Sequence, residues 1–195
     1  MRHVLSPLRK AFFLAATGLF LASHLAKAQG LAHPNSVEVV REAPAAVSFS
    51  FALNLPNMLH RMVAPQTRYA AFLEAQAALS DSALDREIAK VSASLSDRAF
   101  FTLPSGAKLR LTQWQWPDKQ SLRDAFNTSL IVLNLPQQAA GHMDPMRVTA
   151  SVRSTTRINR AQLQLPPVMY PMLVVIKADK FWLTDEISLA MVDLD

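Results

Sequence analysis

The chain has 195 residues, no cysteine, and 20 lysines and arginines against 15 acidic residues. Without cysteine it has no disulfide, no thiolate metal site and no lipid attached through a thiol. Four of the basic residues, Arg2, Arg9, Lys10 and Lys27, lie before residue 29 and leave 16 against 15 in the remainder, so the high pI is no nucleic-acid footprint, which needs a clustered surplus.

Arg2, His3, Arg9 and Lys10 precede an uncharged apolar run from Ala11 to Ala26, and Ala26-Lys27-Ala28 follows. A basic start, a short greasy stretch and a small-x-small site predict a secretory signal peptide over 1–28, cut after Ala28. The run is shorter than the roughly 20 residues of a spanning helix. The expected product is a single domain over 29–195, exported to the periplasm or beyond, with no membrane span after cleavage.

The clearest pattern is Ala46 to Pro56. Val47, Phe49, Phe51 and Leu53 alternate with Ser48, Ser50, Ala52 and Asn54, which predicts a strand with one face in a core and one in a wetter layer. Ser36–Arg41 reads as the strand before it, and the two as an antiparallel hairpin. Asn57–Val63 reads as a brief helical or irregular turn. A helix is expected over Thr67–Ala78. A second, capped by Ser80-Asp81-Ser82, puts Leu84, Ile88, Val91 and Leu95 on one face. Together they predict a two-helix insertion at about 65–96.

Strand character returns at Ala99–Leu103 and Lys108–Trp116, joined by Pro104-Ser105-Gly106 as a hairpin turn. A short helical turn over Lys119–Phe126 follows Asp118. Thr128–Leu135 is a nearly continuous apolar run, read as a central strand. Arg147–Ser154 alternates cleanly, and Ala161–Leu165, Met172–Lys177 and Phe181–Thr184 complete the set. About nine short strands with one helical insertion predict a mainly β, α+β domain resembling an antiparallel β-sandwich. Leu53-Asn54-Leu55-Pro56, Leu133-Asn134-Leu135-Pro136 and Leu163-Gln164-Leu165-Pro166 read as one strand-stopping device used three times.

Ala32-His33-Pro34-Asn35-Ser36-Val37, the strand ending in Leu55-Pro56, the helix after it and the hairpin at Pro104-Ser105-Gly106 follow one another in an order that resembles the extracytoplasmic domain of HupE/UreJ-type proteins. The resemblance covers roughly Ala32 to Trp116. In that family the domain precedes membrane helices, which do not follow here, so the resemblance implies a detached, soluble version with a periplasmic accessory or binding role. It brings no catalytic residue with it.

Chemistry is sparse. There is no G-x-S-x-G elbow, no P-loop and no dinucleotide-binding glycine pattern. Two clusters combine thioethers with an imidazole: Met58, His60 and Met62, and His142, Met143 and Met146. Such donors suit Cu(I) in a chain without thiols; methionine also fills core gaps, and both readings stand. His33 reads as an ordinary residue near a strand start. Asp179, Asp185, Glu186, Asp193 and Asp195 thicken toward the C-terminus, as a hard-cation site or a solvated tail. Trp114 and Trp116 share a strand face, as a partner-binding platform or as indoles covered by the helices. The sequence thus predicts an exported, non-catalytic binding or accessory protein without cofactor, with periplasmic copper binding as the alternative.

Overall fold

The structure, a computed structural model, describes residues 35–135, 144–176 and 179–194. Among the described residues the fold is α+β and mainly β, built from two sheets and four helices. The predicted leader and cleavage site lie outside the described residues.

Strands β1 (Asn35–Ala43) and β2 (Ala46–Leu53) form the expected hairpin, with Val37 opposite Phe51 and Val39 opposite Phe49. Three helices follow: α1 (Leu55–Val63), α2 (Tyr69–Ala77) and α3 (Asp81–Arg98). Then come β3 (Phe100–Thr102), β4 (Lys108–Arg110), β5 (Thr112–Gln115) and α4 (Lys119–Leu133). The chain continues through β6 (Met146–Arg153), β7 (Arg160–Gln164), a 3-10 turn at Pro167–Met169, β8 (Met172–Ile176), β9 (Asp179–Leu183) and β10 (Leu189–Asp193).

One sheet runs β5-β6-β2-β1-β8-β9 and the other β10-β7-β3-β4; among the described residues only the β1–β8 pairing is parallel. The sheets meet through Phe49 of β2 and Phe101 of β3, edge to face at 5.4 Å and both fully buried. The chain's two shortest crossings between them follow β4 and β9. Leu111 alone separates β4 from β5, and residues 184–188 join β9 to β10, where the Thr184 N–H donates to the Ile187 carbonyl.

At one end of the sandwich the Ile158 N–H donates to the Pro44 carbonyl and the Leu194 N–H to the Asn159 carbonyl. At the other end Asn35 bridges the Asn54 N–H and the Met169 carbonyl, where the helices begin.

Three sequence expectations are corrected here. Thr128–Leu135 is not a central strand: Thr128 to Leu133 is the second half of α4, which Asp118 opens by accepting from the Ser121 N–H at 2.8 Å. Its buried residues Leu122, Phe126 and Ser129 step at helical spacing, while Ile131 is 62% exposed. An apolar run of that length does not separate strand from helix by periodicity. Leu55–Val63 is a full helix, because Pro56 sits in its first turn, where its missing N–H costs nothing, and Asn54 caps it. The insertion between β2 and β3 therefore holds three helices, and α4 is a fourth helix further on. β10, absent from the sequence reading, adds a further strand.

The starts of α3 and α4 are clamped by charge. Arg123 reaches Asp81 at 2.6 Å and the Leu79 carbonyl at 2.9 Å, and Lys119 reaches Asp85 at 2.8 Å.

The Phe49–Phe101 contact predicts that Phe49→Ala lowers unfolding free energy by about 3–5 kcal/mol in a urea titration. Ile131→Ser, on the exposed side of α4, should stay within about 0.5 kcal/mol; equal losses would mean that the core is not organised around this contact. The Arg123 hydrogen bond and charge hold the Asp81 carboxyl below its ordinary value. Its contribution to stability is then complete above the unfolded carboxylate range, near pH 4, and fades as pH falls through the lower folded value. Carbon-detected NMR should show the Asp81 midpoint rising in Arg123→Gln; an unchanged midpoint would assign the shift elsewhere.

Candidate functional site

The helices and the four-stranded sheet lie on the inner face of the six-stranded sheet, where the apolar parity of β2 points. The opposite parity faces outward. On β2 it presents Ser48 and Ser50, and on β6 Thr149 and Ser151, because VSFSF and VTASV alternate in step. The register sets Ser48 opposite Ser151 and Ser50 opposite Thr149, so four hydroxyls form a two-by-two array.

Glutamines flank the array on the β5 side. Ser151 donates to Gln113 Oε1 at 2.5 Å, and Thr149 to Gln115 Oε1 at 3.3 Å. On the β1 side Ser48 donates to Glu42 Oε1 at 2.6 Å. Together these groups line a shallow groove of about 320 Å³. Hydroxyls and amides both donate and accept, and short side chains lose little rotamer freedom when a ligand orders them.

The glutamines reach that face through a bulge. Between Thr112, opposite Ser151, and Gln115, opposite Thr149, β5 carries one residue too many. Gln113 takes φ 55°, a left-handed conformation uncommon outside glycine. Holding it there costs on the order of 1 kcal/mol, and the Ser151 hydrogen bond meets it on the outer side.

The same bulge decides the tryptophans. Simple alternation would put Trp114 with Arg110 and Thr112, away from Leu111. The extra residue turns Trp114 inward, stacked on Phe51 at 5.5 Å. Its indole N–H donates to Ser96 of α3 at 2.9 Å, and that of Trp116 to Ser92 at 2.8 Å. Both rings are half-buried against the core. The structure thus sets both indoles against α3.

Of the thioether–imidazole residues, Met58, His60 and Met62 lie on α1 and Met146 at the start of β6. Met58 is 2% exposed, in the core. Met62 follows one turn later on the same side of α1, beside a shallow groove with Val63, Glu87 and Lys90. His60 falls about 200° around the helix from Met58. Its ring lies 5.2 Å from Tyr69 and 5.1 Å from Phe72, and Nε2 donates to the Thr67 carbonyl at 2.7 Å. Beside it, burial pushes the Tyr69 phenol above its ordinary pKa, opposed by a hydrogen bond with Ser129.

Met146 opens β6, half-buried against the core. His33, His142, Met143 and Asp195 lie outside the described residues, among which no group of three or more His, Asp or Glu side chains could hold a metal. Asp193 pairs with Arg160 at 2.8 Å, and Asp185 and Glu186 are exposed in the β9–β10 turn. No helix among the described residues is long and apolar enough to cross a membrane.

The hydroxyl array was not singled out in the sequence, although its signal was there in the outward parity of two strands; only their pairing brings it together. Compared with family models, curated proteins and solved structures, the chain gives no match.

Engaged indoles should be felt in stability. Ser96→Ala and Ser92→Ala should each cost about 1 kcal/mol and shift tryptophan emission to the red. Variants with unaltered emission and stability would mean that the indoles stand clear of α3.

Proposed function

We propose that the protein is an exported, non-catalytic binding or accessory module of the periplasm. It docks a protein partner, such as a component of a membrane transport complex, on the outer face of the six-stranded sheet. The observation that carries this reading is the array of Ser48, Ser50, Thr149 and Ser151 with its flanking glutamines, a broad polar face over which, among the described residues, no helix is laid. Such a face suits a partner that offers backbone or side-chain hydrogen bonds rather than a greasy anchor. The basic, apolar leader and the resemblance to the extracytoplasmic domain of HupE/UreJ-type proteins support an extracytoplasmic setting.

The test places a photo-cross-linking side chain at Ser50, at Thr149 and, as a control, at Arg86 on the exposed side of α3, in cells that express the protein with its own leader. Positions 50 and 149 should give one adduct to the same protein, recovered from the cell envelope, and position 86 none. Adducts at all three positions, or at none, would overturn the reading.

A further inference from the structure

Among the described residues four strands form the sheet edges: β5 and β9 in the larger sheet, β4 and β10 in the smaller. An edge offers unpaired N–H and C=O groups to any extended chain, and proteins blunt it with charge, bulges or short length. β4 is three residues long with exposed Lys108 and Arg110. β5 is bulged at Gln113. The β9 sequence begins with Asp179 and Lys180. β10 has none of these devices before its last residue: Ile187 to Val192 is uncharged. Ile187, Leu189 and Met191 are 57%, 47% and 51% exposed, one apolar row along the outer face of the edge.

Backbone parity makes this edge usable. The Leu194 N–H donates to the Asn159 carbonyl, and the β7–β10 register continues in step from that pair. Even-numbered residues of β10 therefore turn their backbone groups toward β7, and Leu189 and Met191 turn theirs to the open side. The Ile187 backbone is used in the turn with Thr184.

We propose that β10 is a dimer seam, at which two copies of this chain pair their β10 strands antiparallel about a two-fold axis at Ala190. The occupant is a second copy because the strand is complementary to itself. In that register Leu189 opposes Met191 of the other copy, twice, and both are residues whose backbone groups face outward. Leu189 and Met191 then each meet an apolar side chain across the seam, while Ile187, whose backbone is engaged in the turn, lies before the paired strand and opposite Asp193. Ala190, small and turned toward the core, sits on the axis. Moving the axis to Met191 would instead set Leu189 against Asp193. The four-stranded sheets of the two copies become one eight-stranded sheet.

The purified protein, expressed with its own leader, should sediment as a dimer at micromolar concentration. Met191→Lys puts a charge into the seam but not into the core, so it should sediment as a monomer with an unaltered circular dichroism spectrum. The register has its own readout in this cysteine-free chain. Residues opposed in a hydrogen-bonded pair have Cα atoms about 5.5 Å apart, within disulfide reach. Leu189→Cys mixed with Met191→Cys should therefore give a covalent dimer on mild oxidation, and neither variant alone should. A monomeric wild type, a dimer that survives Met191→Lys, or a covalent dimer of Leu189→Cys alone would each overturn the proposal.

Discussion

The contact between Phe49 and Phe101 is the joint on which the layers close. The two rings come from different sheets, meet edge to face and are sealed from solvent. An edge-to-face pair carries attraction beyond the area it buries, and this one fixes which face of β2 points inward. Phe51, two residues on, then inherits its environment. It stacks on Trp114, which is tied to Ser96 of α3. A run of four aromatic rings, Phe101, Phe49, Phe51 and Trp114, thus links the smaller sheet, the larger sheet and the helical layer. With no disulfide available, cohesion rests on that apolar continuity.

Parity is the currency of the rest. Once Phe49 is inside, Ser48 and Ser50 are outside, and β6, paired in register, adds Thr149 and Ser151 to the same face. A slip of β2 by one residue would bury two hydroxyls and expose two phenylalanines, so the register is strongly held. β5 has to serve both faces within a few residues, bringing an indole to the core and two amides to the polar side. A regular strand gives Gln113, Gln115 and the indole's site only one fixed alternation after Leu111. The left-handed turn at Gln113 resets it. Strain at that residue is the local cost of a contact on each side.

Much of this was legible in the sequence. The alternation in VSFSFAL and RVTASVR gave strands, facing and hairpin, because a half-buried strand has a period that nothing else mimics. The stripe of Leu84, Val91 and Leu95 gave α3 for the same reason. What stayed hidden lacked a period of its own. TSLIVLNL is apolar on every side, and whether it coils or extends depends on Asp118 ten residues upstream. Leu-x-Leu-Pro ends β2 and opens α1 at its first appearance, follows the end of α4 at its second, and closes β7 at its third. The tetrapeptide marks a change of direction and does not say from what to what. The Trp114 facing could not be read by counting, since a bulge leaves no mark when the residue in left-handed backbone is a glutamine. The hydroxyl array needed a pairing partner ninety-nine residues away in sequence, from Ser50 to Thr149.

The two surfaces proposed for binding belong to different sheets, and that separation has a consequence. The seam at β10 extends the four-stranded sheet sideways and leaves the outer face of the six-stranded sheet untouched. Each copy in the dimer keeps its own hydroxyl array. A partner that itself carries two copies of the docking surface would then be held at both arrays together, and its second contact would form at an effective concentration set by the rigid spacing between them. Short hydroxyls and amides on a shallow groove give modest affinity one at a time. Pairing the modules is the route by which such a face becomes selective, because only a partner with matching spacing gains from the second contact.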